Sequence, residues 1–348
     1  MSKSNGHDGP SDLSPREALE RFLDRKRIET SKQTIGTYQS RLKLFVEWAE
    51  EEQIARVSEL NGWLIDKYET ARRARDIAPL TLNKEMGSLR RFIEYLERIE
   101  AVEEGLSEKV PEVHVPKEDQ SDDTKLPTAR ANLLLEHFRP FERETRGHAF
   151  LEIAWNTGAR LGALRALDRR DFDPENHAIA FRHRPDTGTP LKNKAEGERV
   201  VAVTPEVVQA VEDYLDGDRW DKRDEYGREP LLSSRQGRPG INTVRRMSYQ
   251  VTLPCNYGEC PHGQDIPECD FREVNHESKC PSSRAPHHIR TGSIGWQLDC
   301  GIPIEVVATR VNSAVKTIKK HYDKTTERQR MERRRRQHID KLSFNTTQ

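Results

Sequence analysis

Residues 285–324 read "APHHIRTGSIGWQLDCGIPIEVVATRVNSAVKTIKKHYDK", and His287, Arg290 and Tyr322 within them do not look like core. Pro286 suits the first turn of a helix, where its missing N–H would have had no partner anyway. In that helix His287 and Arg290, three positions apart, share a face. The free N–H groups of the first turn favour an anion there. His288, two residues from Arg290, points elsewhere. Further on, Tyr322 stands in the helical stretch "VKTIKKHYDK", where Lys319, Lys320 and Lys324 give it positive potential.

Upstream, "NTGARLGALRAL" (156–167) puts Arg160 just after a glycine turn on an otherwise apolar segment. Alone, an arginine there reads as a surface residue; with His287 and Arg290 it reads as part of an anion site. Guanidinium groups are permanently charged forks that match phosphate oxygens. Two of them can neutralise a phosphodiester in its transition state without a metal. Tyr322 is then the nucleophile. A phenol ionises about three pH units above neutrality, so such a site must remove the proton during attack or hold it in strong positive potential.

The rest of the chain supplies two domains. Ser14-Pro15-Arg16-Glu17 reads as a capping box, and Leu19, Phe22 and Leu23 follow on one face. Ile35, Tyr38, Leu42, Phe45, Val46 and Ala49 recur with helical spacing, as do Leu82, Met86, Leu89, Phe92, Ile93 and Leu96. With "GWLIDKYETARRAR" between them, residues 14–102 form a four-helix domain behind a disordered tail, 1–13. Residues 103–127, charged and holding three prolines, read as a linker. A second domain, 128–330, is mostly helical with a small antiparallel sheet, because "HAIAFRHR" and "RVVAV" flank a Gly-, Pro- and Lys-rich loop. The fold class is mainly α with a small antiparallel β-sheet. Residues 331–348 are a basic tail.

Lys and Arg total 58, balanced by 58 Asp and Glu, so local clusters cancel and net charge names no partner. "ARRAR" near Arg75, Arg90 and Arg91 in "SLRRF", and "RQRMERRRRQ" at the C-terminus are candidate phosphate contacts, though each alone reads as a solvated helix face. The longest apolar run, "AFLEIAW", is far short of the roughly 20 residues that span a bilayer, and the N-terminal stretch has no apolar signal core. A soluble, cytoplasmic protein with no membrane partner is expected. In a reducing compartment, Cys255, Cys260, Cys269 and Cys280 within one insertion, 255–280, point to a structural zinc before disulfides. His262 or His276 can replace one thiolate; the plainer reading is a loop of reduced cysteines. Cys300, apart on an apolar helix, reads as a small core residue.

"TGARLGAL", "PHHIR" and "KKHYDK" resemble the first arginine box, the His-x-x-Arg box and the nucleophile segment of tyrosine recombinases, the phage integrase family, and closely those of its haloarchaeal branch. The first domain is similar to that family's SAM-like core-binding domain. The resemblance implies a clamp around duplex DNA, with a tetramer on paired DNA sites during synapsis. It makes Arg160 and Arg290 the phosphate clamp, His287 an acid/base group and Tyr322 the attacking residue that forms a 3′-phosphotyrosyl link. No cofactor is implied for catalysis. The family's hairpin lysine, general acid for the leaving hydroxyl, falls on Lys192 or Lys194; "TGTPLKN" favours Lys192, whereas Lys194 keeps the more usual distance to Arg199. Two positions depart from the family pattern. Ala163 replaces an acidic residue, so Arg160 must be oriented by something else, and Asn312 or Ser313 stands where His or Trp is expected.

Two other functions compete. A type IB topoisomerase shares the tyrosine chemistry but relaxes DNA without paired sites. A catalytically inactive DNA-binding protein would bind DNA without forming an adduct. Metal-dependent transposases are disfavoured, since no acidic cluster is organised around the basic site.

Overall fold

Ser14 Oγ accepts the Glu17 N–H at 3.3 Å while the Glu17 carboxylate takes the Ser14 N–H at 3.0 Å. This reciprocal cap starts α1 (Pro15–Glu29). In the computed structural model, which describes residues 9–116, 123–322, 327–336 and 339, the chain divides into two units, Met1–Asp122 and Asp123–Gln348. The first holds α1, α2 (Lys32–Glu51), α3 (Gly62–Arg73) and α4 (Pro79–Arg98). Its core centres on Phe22, which meets the rings of Tyr38 and Phe92 edge-on at 5.3 and 5.5 Å. Truncating such a ring costs about 3–5 kcal/mol.

The first residues of the segment read as a tail lie outside the described residues; its end does not behave as disordered chain. Pro10–Asp12 form a helical turn, Leu13 is buried, and its carbonyl accepts the Val57 N–H at 2.9 Å. The segment read as a linker is also anchored at both ends. Leu106, Val110 and Val113 belong to the core of the first unit, and Leu126 to that of the second. Residues 117–122 lie outside the described residues. Apolar residues among the charges, spaced without helical period, explain why the packing is invisible to a periodicity reading.

In the second unit, α6 (Arg146–Thr157) is buried along His148–Thr157, with the polar His148, Glu152, Asn156 and Thr157 buried beside its apolar residues. Around it lie α5 (Thr128–Phe141), α7 (Leu161–Ala166), α8 (Pro205–Asp216), α9 (Ile241–Val251) and α10 (Pro286–Asp299). Trp155 of α6 stacks on Trp296 of α10 at 5.6 Å. The sheet is antiparallel, in the order β1 (Phe172–Asp173), β2 (Ala178–Phe181), β3 (Arg199–Ala202), with Phe181 opposite Arg199. The chain then forms α11 (Ile304–Val311), α12 (Val315–His321) and α13 (Glu327–Arg330), followed by a π-helical turn, Met331–Arg335. Arg334 Nε donates to Asp299 Oδ1 at 2.8 Å, so this basic segment fastens to the end of α10 of its own chain. Among the described residues no helix is long and apolar enough to cross a membrane.

Cys300 corrects the core reading. It caps α10 and is exposed, because the helix stops at Asp299 and Gly301 turns away with φ +83°.

Candidate active site

The site is built on one turn. At the end of α11 the backbone carbonyls of Arg310, Val311 and Asn312 point outward, as the last carbonyls of any helix do. Each takes a different arginine. Arg199 Nε donates to Arg310 O at 2.7 Å, Arg290 Nη1 to Val311 O at 2.7 Å, and Arg160 Nη1 to Asn312 O at 2.5 Å. The three come from β3, from α10 and from the residue that caps α7, so one turn gathers side chains up to 130 positions apart. Asn312 makes this possible by ending the helix with φ 51° and ψ 66°, a left-handed conformation that Asn tolerates better than most L-residues.

Gly158 closes the other side. Its φ of +57° ends α6, and its carbonyl accepts a second bond from Arg290 Nη1 at 2.5 Å. A Cβ there would sit 2.9 Å from Val311 Cγ1, so only glycine lets α6 and α11 approach and share Arg290. Arg310 strengthens the same junction, reaching Gln297 Oε1, Ala202 O and Asn156 O at 3.0, 2.8 and 3.1 Å. The acid missing at Ala163, itself buried on α7, is thereby answered: a backbone carbonyl orients Arg160 where the family pattern has a carboxylate.

Three cations now crowd one place. Arg290 is only 2% exposed, and its Nε and Nη2 have no hydrogen-bond partner among the described residues. Burial, then the neighbouring Arg160, bring its guanidinium down to about 10, opposed by the Tyr322 hydroxyl. Burial, then Arg290 and Arg160, bring Arg199 down to about 10 as well. Burial lowers Arg160, again opposed by Tyr322. No carboxylate among the described residues contributes to these three shifts. Arg199 also lies 4.1 Å from the Phe181 ring centroid, across the strand pair.

A cation whose folded value is lowered destabilises the fold at every pH below that value, and the cost fades only as pH rises past about 10. An anion bound among the three relieves it. A few millimolar phosphate or tungstate, at constant ionic strength, should therefore raise Tm by about 2–5 °C. Arg160→Ala should lose most of that gain in differential scanning calorimetry; an undiminished gain in the variant would place the anion elsewhere.

Tyr322 caps α12, its N–H on Ile318 O at 2.9 Å. The His287 ring centroid lies 5.7 Å from its own, and the Arg290 guanidinium carbon 5.8 Å from it. Arg160, His287, Arg290 and Tyr322 are thus brought together. His288 turns back to the helix start, its Nδ1 3.3 Å from the Ala285 nitrogen. Lys192 and Lys194 are both exposed in the loop between β2 and β3, on either side of Asn193, whose Nδ2 donates to Asn312 Oδ1 at 3.0 Å. Ser313 Oγ is buried without a hydrogen-bond partner among the described residues. The lysines beside Tyr322 differ in placement from the arginines: Lys319 and Lys320 are exposed, and Lys324 lies outside the described residues. Arg199, which the sequence reading used only to measure the distance from the hairpin lysine, joins the site as well.

Several candidate DNA contacts prove structural. Arg72 of "ARRAR" is buried in a two-bond pair with Glu85, at 2.9 and 3.0 Å, and Arg73 pairs with Glu69. Arg90 bonds Val110 O at 2.7 Å and Glu112 at 3.1 Å. Arg75 and Arg91 stay exposed. The partners lie up to 22 positions away, beyond the reach of a local charge reading.

The cysteine insertion is anchored at its edges. Arg130 of α5 holds Tyr257 Oη at 3.0 Å and Ser282 O at 2.7 Å, and buried Glu277 takes Arg246 Nε at 2.7 Å. Cys280 is buried, while Cys255, Cys260 and Cys269 are partly so. Burial raises the Cys255 thiol, Arg272 opposes, and Cys269 and Cys280 add to the rise, so these three sulfurs share a neighbourhood. Among the described residues no three His, Cys, Asp or Glu side chains are grouped closely enough to hold a metal ion.

Residues 19–100, which hold most of α1 and all of α2–α4, match the family described as "Phage integrase, N-terminal SAM-like domain". The tyrosine recombinase XerC of Treponema denticola is 29% identical over 161 residues, 43% of this chain and 49% of that protein. The chain spans about half the length of the curated relatives it matches. The N-terminal domain of a phage integrase/site-specific recombinase from Haloarcula marismortui is 50% identical, covering 30% of this chain and 97% of that one, with a TM-score of 0.28. The Tn1549 transposon integrase, solved in complex with a circular intermediate DNA, shares the fold over 95% of this chain and 100% of its own, with a TM-score of 0.62 at 15% identity. In its first unit this chain thus carries a SAM-like domain of the phage integrase kind, and over about half its length it is similar to the tyrosine recombinase XerC.

Proposed function

We propose that the chain is a site-specific recombinase of the haloarchaeal type that cuts and rejoins double-stranded DNA through a 3′-phosphotyrosyl intermediate. The observation that carries this reading is the set of three guanidinium groups, uncompensated by carboxylates among the described residues, beside the hydroxyl of Tyr322. A phosphodiester supplies the missing negative charge, and more of it as the transition state forms. Arg160 and Arg290 grip the non-bridging oxygens. The Tyr322 oxygen attacks phosphorus, His287 takes the phenolic proton, and a lysine of the β2–β3 loop, Lys192 or Lys194, protonates the departing 5′ oxygen. The bond energy stays in the phosphotyrosine, so rejoining needs no nucleotide cofactor.

Each recombining site is cut on both strands, so two paired sites need four tyrosines, and a tetramer on DNA is the assembly this chemistry requires. The test is incubation with DNA flanking the gene. A denaturant-resistant protein–DNA adduct together with a recombinant product supports the reading, whereas relaxation of supercoils with no recombinant supports the topoisomerase alternative.

A structural zinc on Cys255, Cys260, Cys269 and Cys280 is part of the proposal. It requires the loop to close further than the described geometry, drawing Cys260 toward the neighbourhood of the other three thiols. Metal would cross-link a long polar insertion just before α10, fixing the approach to His287. Elemental analysis of protein prepared without chelator should give about one zinc per chain, and Cys260→Ser should lower Tm. Metal-free protein with unchanged Tm in the variant would mean that the insertion stands on Glu277 and Arg130 alone.

A further inference from the structure

The turn that gathers the arginines has a fourth connection, and it runs the other way. While Asn312 O holds Arg160, Asn312 Oδ1 accepts from Asn193 Nδ2 at 3.0 Å. Asn193 lies between Lys192 and Lys194 in the exposed stretch 192–196 of the loop. The amide is packed as well as bonded: a Cβ at Gly197 would come within 2.8 Å of Asn312 Nδ2. A second tie follows close by, since Arg199 Nη1 holds Gly197 O at 3.1 Å while its Nε holds Arg310 O. Nothing in the helix end calls for the amide. With φ at 51°, glycine would cap α11 at least as easily and leave the carbonyl to Arg160.

We infer that Asn312 is a positioning residue that fixes the lysine loop against the arginine clamp. The inference rests on the recombinase reading above. As the Tyr322 oxygen bonds to phosphorus, the bond from phosphorus to the 5′ oxygen breaks. The phenolic proton goes to His287, and the departing oxygen takes one from the loop lysine. That second transfer needs the lysine nitrogen within hydrogen-bond reach of an oxygen whose place the arginines set. The loop supplies the lysine and α11 sets the arginines, and the Asn193–Asn312 bridge joins the two.

Asn312→Gly and Asn193→Ala test this on nicked duplexes that the wild type cleaves, one with the ordinary 5′ oxygen and one with sulfur in its place. Sulfur leaves as a thiolate without a proton. Each variant should bind DNA as the wild type does, cleave the oxygen substrate about 10–100-fold more slowly, and come within about threefold on the sulfur substrate, where the proton transfer is dispensable. The double variant should be no slower than either single one. Equal slowing on both substrates, or no slowing, overturns the inference. Should Asn312→Gly disturb folding, Asn193→Ala, at an exposed position, carries the comparison alone. A wild type that forms no adduct with either substrate overturns the recombinase reading instead.

Discussion

Arg160→Ala should slow strand cleavage by about 10²–10³-fold while changing DNA affinity by less than about tenfold. The asymmetry follows from what the arginine faces. DNA affinity is spread over many phosphate contacts, whereas one donor at the scissile phosphate matters most when charge develops there. Arg160 is held by a single carbonyl bond, to Asn312 O, so its removal leaves the turn itself in place. Arg290 is more demanding. It is buried and holds both Gly158 O and Val311 O, so Arg290→Ala should lower Tm as well as cleavage. Arg290→Lys should rescue poorly, because an ammonium cannot reach both carbonyls and still present a planar fork to phosphate. Single-turnover cleavage beside a binding isotherm separates these effects. Parallel losses of binding and cleavage in Arg160→Ala would make it a residue that only holds DNA.

Tyr322→Phe should bind DNA and form no covalent complex, a loss below the limit of detection. The change removes one oxygen. The ring packs beside Ile318 and Val311 in a small apolar cluster at the end of the unit, and phenylalanine keeps that packing, so stability should shift by less than about 1 kcal/mol. The lost oxygen is also the group that opposes the lowering of Arg160 and Arg290. Anion binding at the site should therefore persist in the variant. Residual adduct in Tyr322→Phe would mean that another nucleophile serves.

Local rules reached part of this architecture. The Ser14–Glu17 cap, the helical faces around Phe22 and Phe92, the glycine turn before Arg160 and the i, i+3 pair His287–Arg290 are all written within a few residues. What escaped depends on distant partners. Arg72 and Arg90 stand in basic runs that offered candidate phosphate contacts, and Glu85 and Glu112 pair with them. Arg199 looked like the start of a strand, and only the fold sets it beside Arg160 and Arg290. Asn312 looked like a damaged catalytic position. Its backbone conformation and its two partners, Arg160 and Asn193, give it a structural part that no neighbouring residue announces. Conversely, Leu13, Leu106, Val110 and Val113 were hidden by charged neighbours, since isolated apolar residues carry no period.

Peptide mapping of the trapped complex shows whether Tyr322 attacks the phosphate held by Arg160 and Arg290. Wild-type protein should be reacted with a nicked duplex that cannot religate, digested with protease, and the DNA-linked peptide sequenced by mass spectrometry. A single peptide, containing Tyr322, should be found joined through the 3′ phosphate. A link through the 5′ phosphate, or an adduct on Tyr38 or Tyr95, whose rings pack against Phe22 in the first unit, would contradict it.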